Sequence, residues 1–276
     1  MVVPHVALLI ALLAAGDQTL ASSSSLSRLE SLGQDLFARD RAAALATDRV
    51  LESSSMPADL RGWVTIPSGA DWRVIFVEGQ DDAYCSKLQV LVTNAGAGAL
   101  QRSDTCQALP SMQRKMFLAR QTAIAALRNP CPGAYNTIVL PREGPEAGWA
   151  VYLIAATQEA GKVVVGGHVR VFVRDEGLGI VDYHELSKTC LTLNLALPAG
   201  GEPVALVVTH VLDDHPTEAH VFLSLAHQLK LYVLTESAMW SVDHGQVKLL
   251  MDGEDFKAYL EKARKAAAPV STGSAH

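Results

Sequence analysis

Past Arg128 the spacing of apolar residues changes, and this change limits the fold more than any other feature of the sequence. Just before it, segment 110–128 carries Met112, Met116, Ala119, Ala123, Ala126 and Leu127 at intervals of three and four, with Pro110 near its start and Asn129-Pro130 at its end. That is the period of a helix with one apolar face. Beyond it, 135–140, 149–157, 162–174, 179–186, 190–195, 204–212, 220–225, 229–235 and 239–250 are β-rich runs parted by Gly, Pro, Asp and Asn. Strands with no helix between them are joined by hairpins, so this half predicts antiparallel sheet.

The N-terminal half predicts helix, then strands. Ser27-Arg28-Leu29-Glu30 has the form of a capping box, and Leu29, Leu32, Leu36 and Phe37 follow at helical spacing toward about residue 51. Runs 63–67, 72–77 and 88–93 read as strands, and the glycine-rich 94–99 reads as a loop. Near the other end Asp252 is placed to cap a helix with Phe256, Tyr259, Leu260 and Ala263 on one face. The expected class is α+β, an antiparallel sheet packed with N-terminal, central and C-terminal helices. We expect one domain over 26–267, with a possible subdivision at the Pro/Gly cluster 141–145, and a disordered tail over 268–276.

Two hairpins can be put in register from sequence. A three-residue loop at 175–177 sets Val171 against Val181 and Val169 against Tyr183 on one face, and Arg170 against Asp182 and His168 against His184 on the other. A two-residue turn at His244-Gly245 sets Val242 against Val247.

Compartment is read from two features. Residues 6–15, VALLIALLAA, form a wholly apolar run. About ten residues are too few to span a bilayer that needs about 20, and small residues follow at the positions a signal peptidase reads. Residues 1–21 are therefore expected to be a cleaved signal peptide, although the run is preceded by His5 and no Lys or Arg. The mature protein is then periplasmic or extracellular, with no membrane segment. The four cysteines agree, since an even count in an oxidising compartment is expected to pair. Of the three connectivities, Cys85–Cys106 and Cys131–Cys190 are favoured because each closes a segment between element ends.

Composition excludes some partners. The 23 Lys and Arg are scattered among 29 Asp and Glu, for a net charge of -6. A nucleic-acid surface would need a basic block that is missing.

Two histidine groups are candidates for chemistry. In the first, His210, Asp213, Asp214, His215, Glu218 and His220 crowd one turn. If the flanking runs pair as strands, His210 and His220 share a face, and with a nearby carboxylate they could hold a transition metal such as zinc and activate water for hydrolysis. In the second, His168, Arg170, Asp182 and His184 form the polar face of a hairpin, suited to an anionic or polar ligand. Each competes with a plainer reading, a hydrogen-bonded loop in one case and a solvated sheet face in the other.

Other motifs fail. His184-Glu185-Leu186-Ser187-Lys188 has Lys where a zinc protease needs its second His, and no G-x-S-x-G elbow occurs. The expectation is an exported, non-enzymatic protein, without a cofactor, that binds another protein or a small molecule. The alternative is a metal-dependent hydrolase built on His210 and His220.

Overall fold

The computed structural model describes residues 5–53, 56–79, 83–144, 146–156, 159–195 and 205–267, with side chains from Ser24 onward except at 264, 266 and 267. Residues 1–4 of the expected leader and the expected tail 268–276 lie outside these. Among the described residues are four helices and fourteen strands, an α+β protein rich in antiparallel sheet. No helix among them is long and apolar enough to cross a membrane. The chain divides into two compact units, Leu32–Glu202 and a second made from Met1–Ser31 with Pro203–His276. No boundary falls at 141–145, where Pro141 and Arg142 end strand β5 and the next strand begins at Gly148.

Helix α1, His5–Ser53, is continuous through the expected leader, spacer and capping box. No Gly or Pro occurs between Gly16 and Gly33 to interrupt it, and serine is a middling helix former rather than a breaker. Ser27 is therefore no cap. Its expected partner Glu30 instead accepts the backbone N–H of Val247, at 2.7 Å.

In the 32–202 unit, β1 (Leu60–Ser68), β2 (Asp71–Glu78), β3 (Cys85–Thr93) and β4 (Gly96–Ala108) form an antiparallel meander. Strand alternation gives it two apolar faces. Val74, Phe76, Leu88, Val90 and Val92 pack under Ala42, Ala46 and Val50 of α1. Val64, Ile75 and Val77 pack instead on α2 (Ser111–Ala125), through Met116, Phe117, Ala119 and Ala123. The far side of α2 meets a second antiparallel sheet, ordered β5-β6-β8-β9, through Val139, Trp149, Val151, Leu153, Val169, Val171 and Val173. Its strands are β5 (Ala134–Arg142), β6 (Gly148–Ala156), β8 (Val169–Arg174) and β9 (Ile180–Glu185). The layers thus run helix, sheet, helix, sheet. A short pair, β7 (Lys162–Val164) and β10 (Thr192–Asn194), lies beside them.

Both expected cysteine pairs are joined. Cys85–Cys106 links β3 to β4, and Cys131–Cys190 spans 59 residues between the exit of α2 and the approach to β10, with Cα atoms 5.4 and 5.5 Å apart. In a chain-entropy account each cross-link adds roughly 2–4 kcal/mol by shrinking the unfolded ensemble.

Three further expectations need correction. The glycine-rich 94–99 is mostly strand, because β4 begins at Gly96. The β8–β9 hairpin is offset by two residues, pairing Arg170 with His184, Val171 with Tyr183 and Phe172 with Asp182. Gly177 and Gly179 both take left-handed backbone, lengthening the loop, and a bulge before Ile180 absorbs the remainder. A two-residue offset keeps the residues that pair from Val169 to Phe172 on their expected faces.

The largest correction lies in the other unit. Residues 220–225 are not a strand: α3 runs Glu218–Ala226 between β11 (Ala205–Thr209) and β12 (Lys230–Leu234). The crossover makes β11 and β12 parallel, while β13 (Ala238–Asp243) and β14 (Gln246–Asp252) continue antiparallel. Here the turn at His244-Gly245 does pair Val242 with Val247. Helix α4, Gly253–Ala267, follows, and Phe256 is its buried anchor while Tyr259 stays exposed.

Candidate functional site

The first histidine group sits where β11 hands over to α3. The His210 backbone N–H donates to Leu234 O at 2.7 Å, extending the parallel ladder by one residue. Its ring nitrogen Nε2 lies 3.1 Å from Asp213 Oδ2. The His210 ring meets that of His220 edge to face, with centroids 5.0 Å apart. His220 is the third residue of α3, and its Nδ1 accepts the Thr217 N–H and lies 3.0 Å from Thr217 Oγ1, completing a capping box in which His takes the usual Glu position. His215 Nδ1 lies 2.9 Å from Pro216 O. Glu218 is buried in the first turn of α3.

The structure therefore gathers these residues, but chiefly onto one another. His210 and His220 adjoin because a helix follows the turn, not because two strands pair. Among the described residues no three His, Cys, Asp or Glu side chains are disposed to hold a metal ion. Beyond the carboxyl ends of β11 and β12, the place where α/β sheets usually receive ligands, Asp213, Asp214 and Glu236 line an open cavity of about 310 Å³ with Val211 and Leu212.

The second group is not an open face. His168 is 2% exposed, and its Nδ1 accepts the Ala155 N–H at 3.2 Å, while its carbonyl accepts from Leu186. Arg170 is half-buried with its guanidinium 5.1 Å from the Phe172 ring, and Arg142 covers the same ring at 3.9 Å. Asp182 is exposed on the edge strand. Alternation places the four on one face, but His168 is built into the interior rather than offered to a ligand.

Other ionisable groups are held within the fold. Arg39 of α1 binds Asp35, donates to Thr65 O at 3.0 Å and lies over Trp72; burial lowers its pKa. Arg120 of α2 lies over Trp63, and burial pushes its pKa down to about 10. Asp40 is raised to about 6 by burial, against the opposing pull of the Asn136 amide 3.3 Å away.

A groove absent from the sequence reading lies on the α2-facing side of the β1–β4 sheet, beyond the apolar contact. It encloses about 340 Å³. Its floor is Ile75 and Leu109, and its walls include Arg73, Lys87, Arg102, Gln89 and Gln101. Register builds it: Ile75, Gln89 and Gln101 stand side by side across β2, β3 and β4. Farther along, Ser86 pairs with Gln107 but Leu88 pairs with Arg102, so residues 103–106 bulge out opposite Lys87. The Cys85–Cys106 disulfide pins that bulge, and Gln107 Nε2 ties it to Ser103 and Thr105. Bulges of this sort re-aim side chains and are common beside binding sites. The sequence signal was faint, the polar Lys87 and Gln89 alternating with apolar Leu88 and Val90. No family model, curated protein or solved structure matches this chain.

Proposed function

We propose that this chain is an exported, non-enzymatic binding protein, periplasmic or extracellular after loss of residues 1–21, that takes a small polar ligand in the groove of the β1–β4 sheet. The groove is the observation that carries this reading: a concave site lined by convergent donors and acceptors, with a disulfide fixing one wall. A cross-linked wall holds its shape without ligand, which reduces the ordering cost of binding. Two disulfides accord with an oxidising compartment.

Thermal-shift screening of the oxidised protein against neutral sugars, amino acids, organic acids and phosphate esters tests the site. Ser103→Trp fills the groove with an indole. At least one compound class is expected to raise the unfolding midpoint of the wild type and not of the filled variant. If no class does so, or if both proteins respond alike, the groove is not the binding site. Mass spectrometry of the protein recovered from its native compartment checks the export reading through its first residue: Met1 retained on a cytosolic chain would overturn it.

A further inference from the structure

We infer that the Cys85–Cys106 disulfide is a reducible latch, by which a dithiol reductant opens one wall of the groove while the rest of the 32–202 unit stays folded; this rests on the binding reading above, since it names how that site is regulated. The two disulfides of the unit lie in unlike surroundings, and the contrast is the first argument. Cys131 is 5% exposed and packs with Ala155 and Val164. Its Sγ fills the place a Cβ would take on Gly167; Cys190 is exposed, but its Sγ lies 3.5 Å from the same point. Hydrogen bonds brace both ends, from Cys131 N–H to Tyr135 Oη at 2.9 Å and from Val165 N–H to Leu191 O at 2.8 Å. Attack on this bond must first disturb those contacts.

Cys85 and Cys106 are both partly exposed and lie at the margin of their sheet, since β4 is an edge strand. Between Arg102 and Gln107 the pairing with β3 lapses, and no residue from Ser103 to Gln107 is buried. Side-chain hydrogen bonds of this stretch run within it, from Gln107 Nε2 to Ser103 Oγ at 3.3 Å and to Thr105 Oγ1 at 2.7 Å. Such bonds move with the bulge and do not anchor it to β3. The covalent tie from β3 to the bulge is the disulfide. An exposed disulfide of this kind is the more easily reduced, because releasing its segment returns chain entropy without opening the core.

The step is thiol–disulfide exchange. A thiolate of the dithiol attacks one cysteine sulfur, the Sγ–Sγ bond breaks, and the other cysteine leaves as a thiolate. The second thiol of the reductant then displaces the first cysteine. Each cysteine ends with a proton and the dithiol as a disulfide, two electrons having passed to the protein. Ser103 and Gln107 of the groove lie on the freed stretch, whereas Ile75 and Leu109 of its floor belong to the core on α2. Reduction thus loosens a wall and leaves the floor, which raises the ordering cost of a bound molecule.

Timed reduction of the full, oxidised chain by dithiothreitol, with quenching by N-ethylmaleimide and peptide mapping, tests the order. Cys85 and Cys106 are expected to be labelled about tenfold or more faster than Cys131 and Cys190. Equal rates, or Cys131–Cys190 reduced first, overturn the latch. Hydrogen exchange of Cys85→Ser/Cys106→Ser and of the partly reduced wild type reads the consequence. In both, amides from 103 to 107 should exchange about tenfold or more faster than in the oxidised wild type, with α2 and β6 unchanged. Unchanged exchange over 103–107 overturns the opening of the wall. Loss of protection in α2 and β6 as well makes the bond a general staple of the fold and overturns the latch too. Oxidised glutathione should restore slow exchange to the partly reduced wild type, and a segment that stays open overturns the switch. Neither measurement uses a bound molecule, so each can fail while the screen with Ser103→Trp succeeds, and the reverse.

Discussion

Replacing Asp40 with Asn should stabilise the protein at neutral pH and do nothing in acid. Asp40 lies on α1 with its carboxyl half-buried near the Asn136 amide. Burial raises its pKa from 3.8 to about 6 in the folded protein. Between those values the folded state holds a proton that the unfolded state has released, so stability falls as pH rises through this window and levels off above it. A difference of that size corresponds to about 3 kcal/mol of folding free energy withheld at neutral pH. Asn resembles the protonated acid in shape and can still accept from Asn136. It should recover most of that amount, less about 1 kcal/mol for the stronger hydrogen bond a carboxylate makes. Urea denaturation followed by tryptophan fluorescence reads this, since Trp63, Trp72 and Trp149 belong to the same unit as Asp40. The gain should be about 2 kcal/mol near pH 7 and close to zero near pH 4. A gain that is constant across this range, or a loss near pH 7, would refute the reasoning.

The core between α2 and its two sheets is centred on Phe117, which is fully buried, so Phe117→Ala should cost about 3–5 kcal/mol, read as a lower urea midpoint. At Gly167, φ is +79° and the position a Cβ would take is already filled by Cys131 Sγ. Gly167→Ala should therefore leave Cys131 and Cys190 unlinked, with two alkylatable thiols by mass spectrometry; a fully oxidised variant would contradict this. His220→Ala removes the acceptor for the Thr217 N–H and should cost about 1 kcal/mol of stability. Elemental analysis of protein purified without a metal-affinity tag is expected to give the same result for wild type and for His210→Ala/His220→Ala; a stoichiometric transition metal lost in the variant would restore the hydrolase alternative.

What could be read from sequence depended on how local the decisive contacts are. The β13–β14 hairpin was legible because His244 and Gly245, both at positive φ, form a two-residue turn that permits one register. The β8–β9 hairpin was legible as to face but not register, since two glycines two residues apart offer two loop lengths. Helix α3 was misread as strand because Glu218 to Ser224 are buried without a break, and a segment buried all round shows neither period. The signals that remained were Pro216 and Thr217, which suit a helix start as well as a turn. The disulfides followed from counting cysteines and locating element ends. The groove did not, because it exists only where residues 101–107 meet residues 86–89 around a slip in pairing. Nor did the burial of His168 follow from its neighbours, because alternation assigns a face and leaves open what covers it.

One unit of this protein is built from both ends of its chain, and Glu30 reaches across 217 residues to the backbone of Val247. Ribosomes deliver the N-terminal part first. The 32–202 unit has all its residues, both cysteine pairs included, before residues 203–276 are translated, and it can settle as soon as it emerges. The other must wait, its opening helix held without its sheet until β14 has been made. A chain ended between residue 202 and β14 would keep the whole unit that holds the groove and forfeit the partner strand that Glu30 grips.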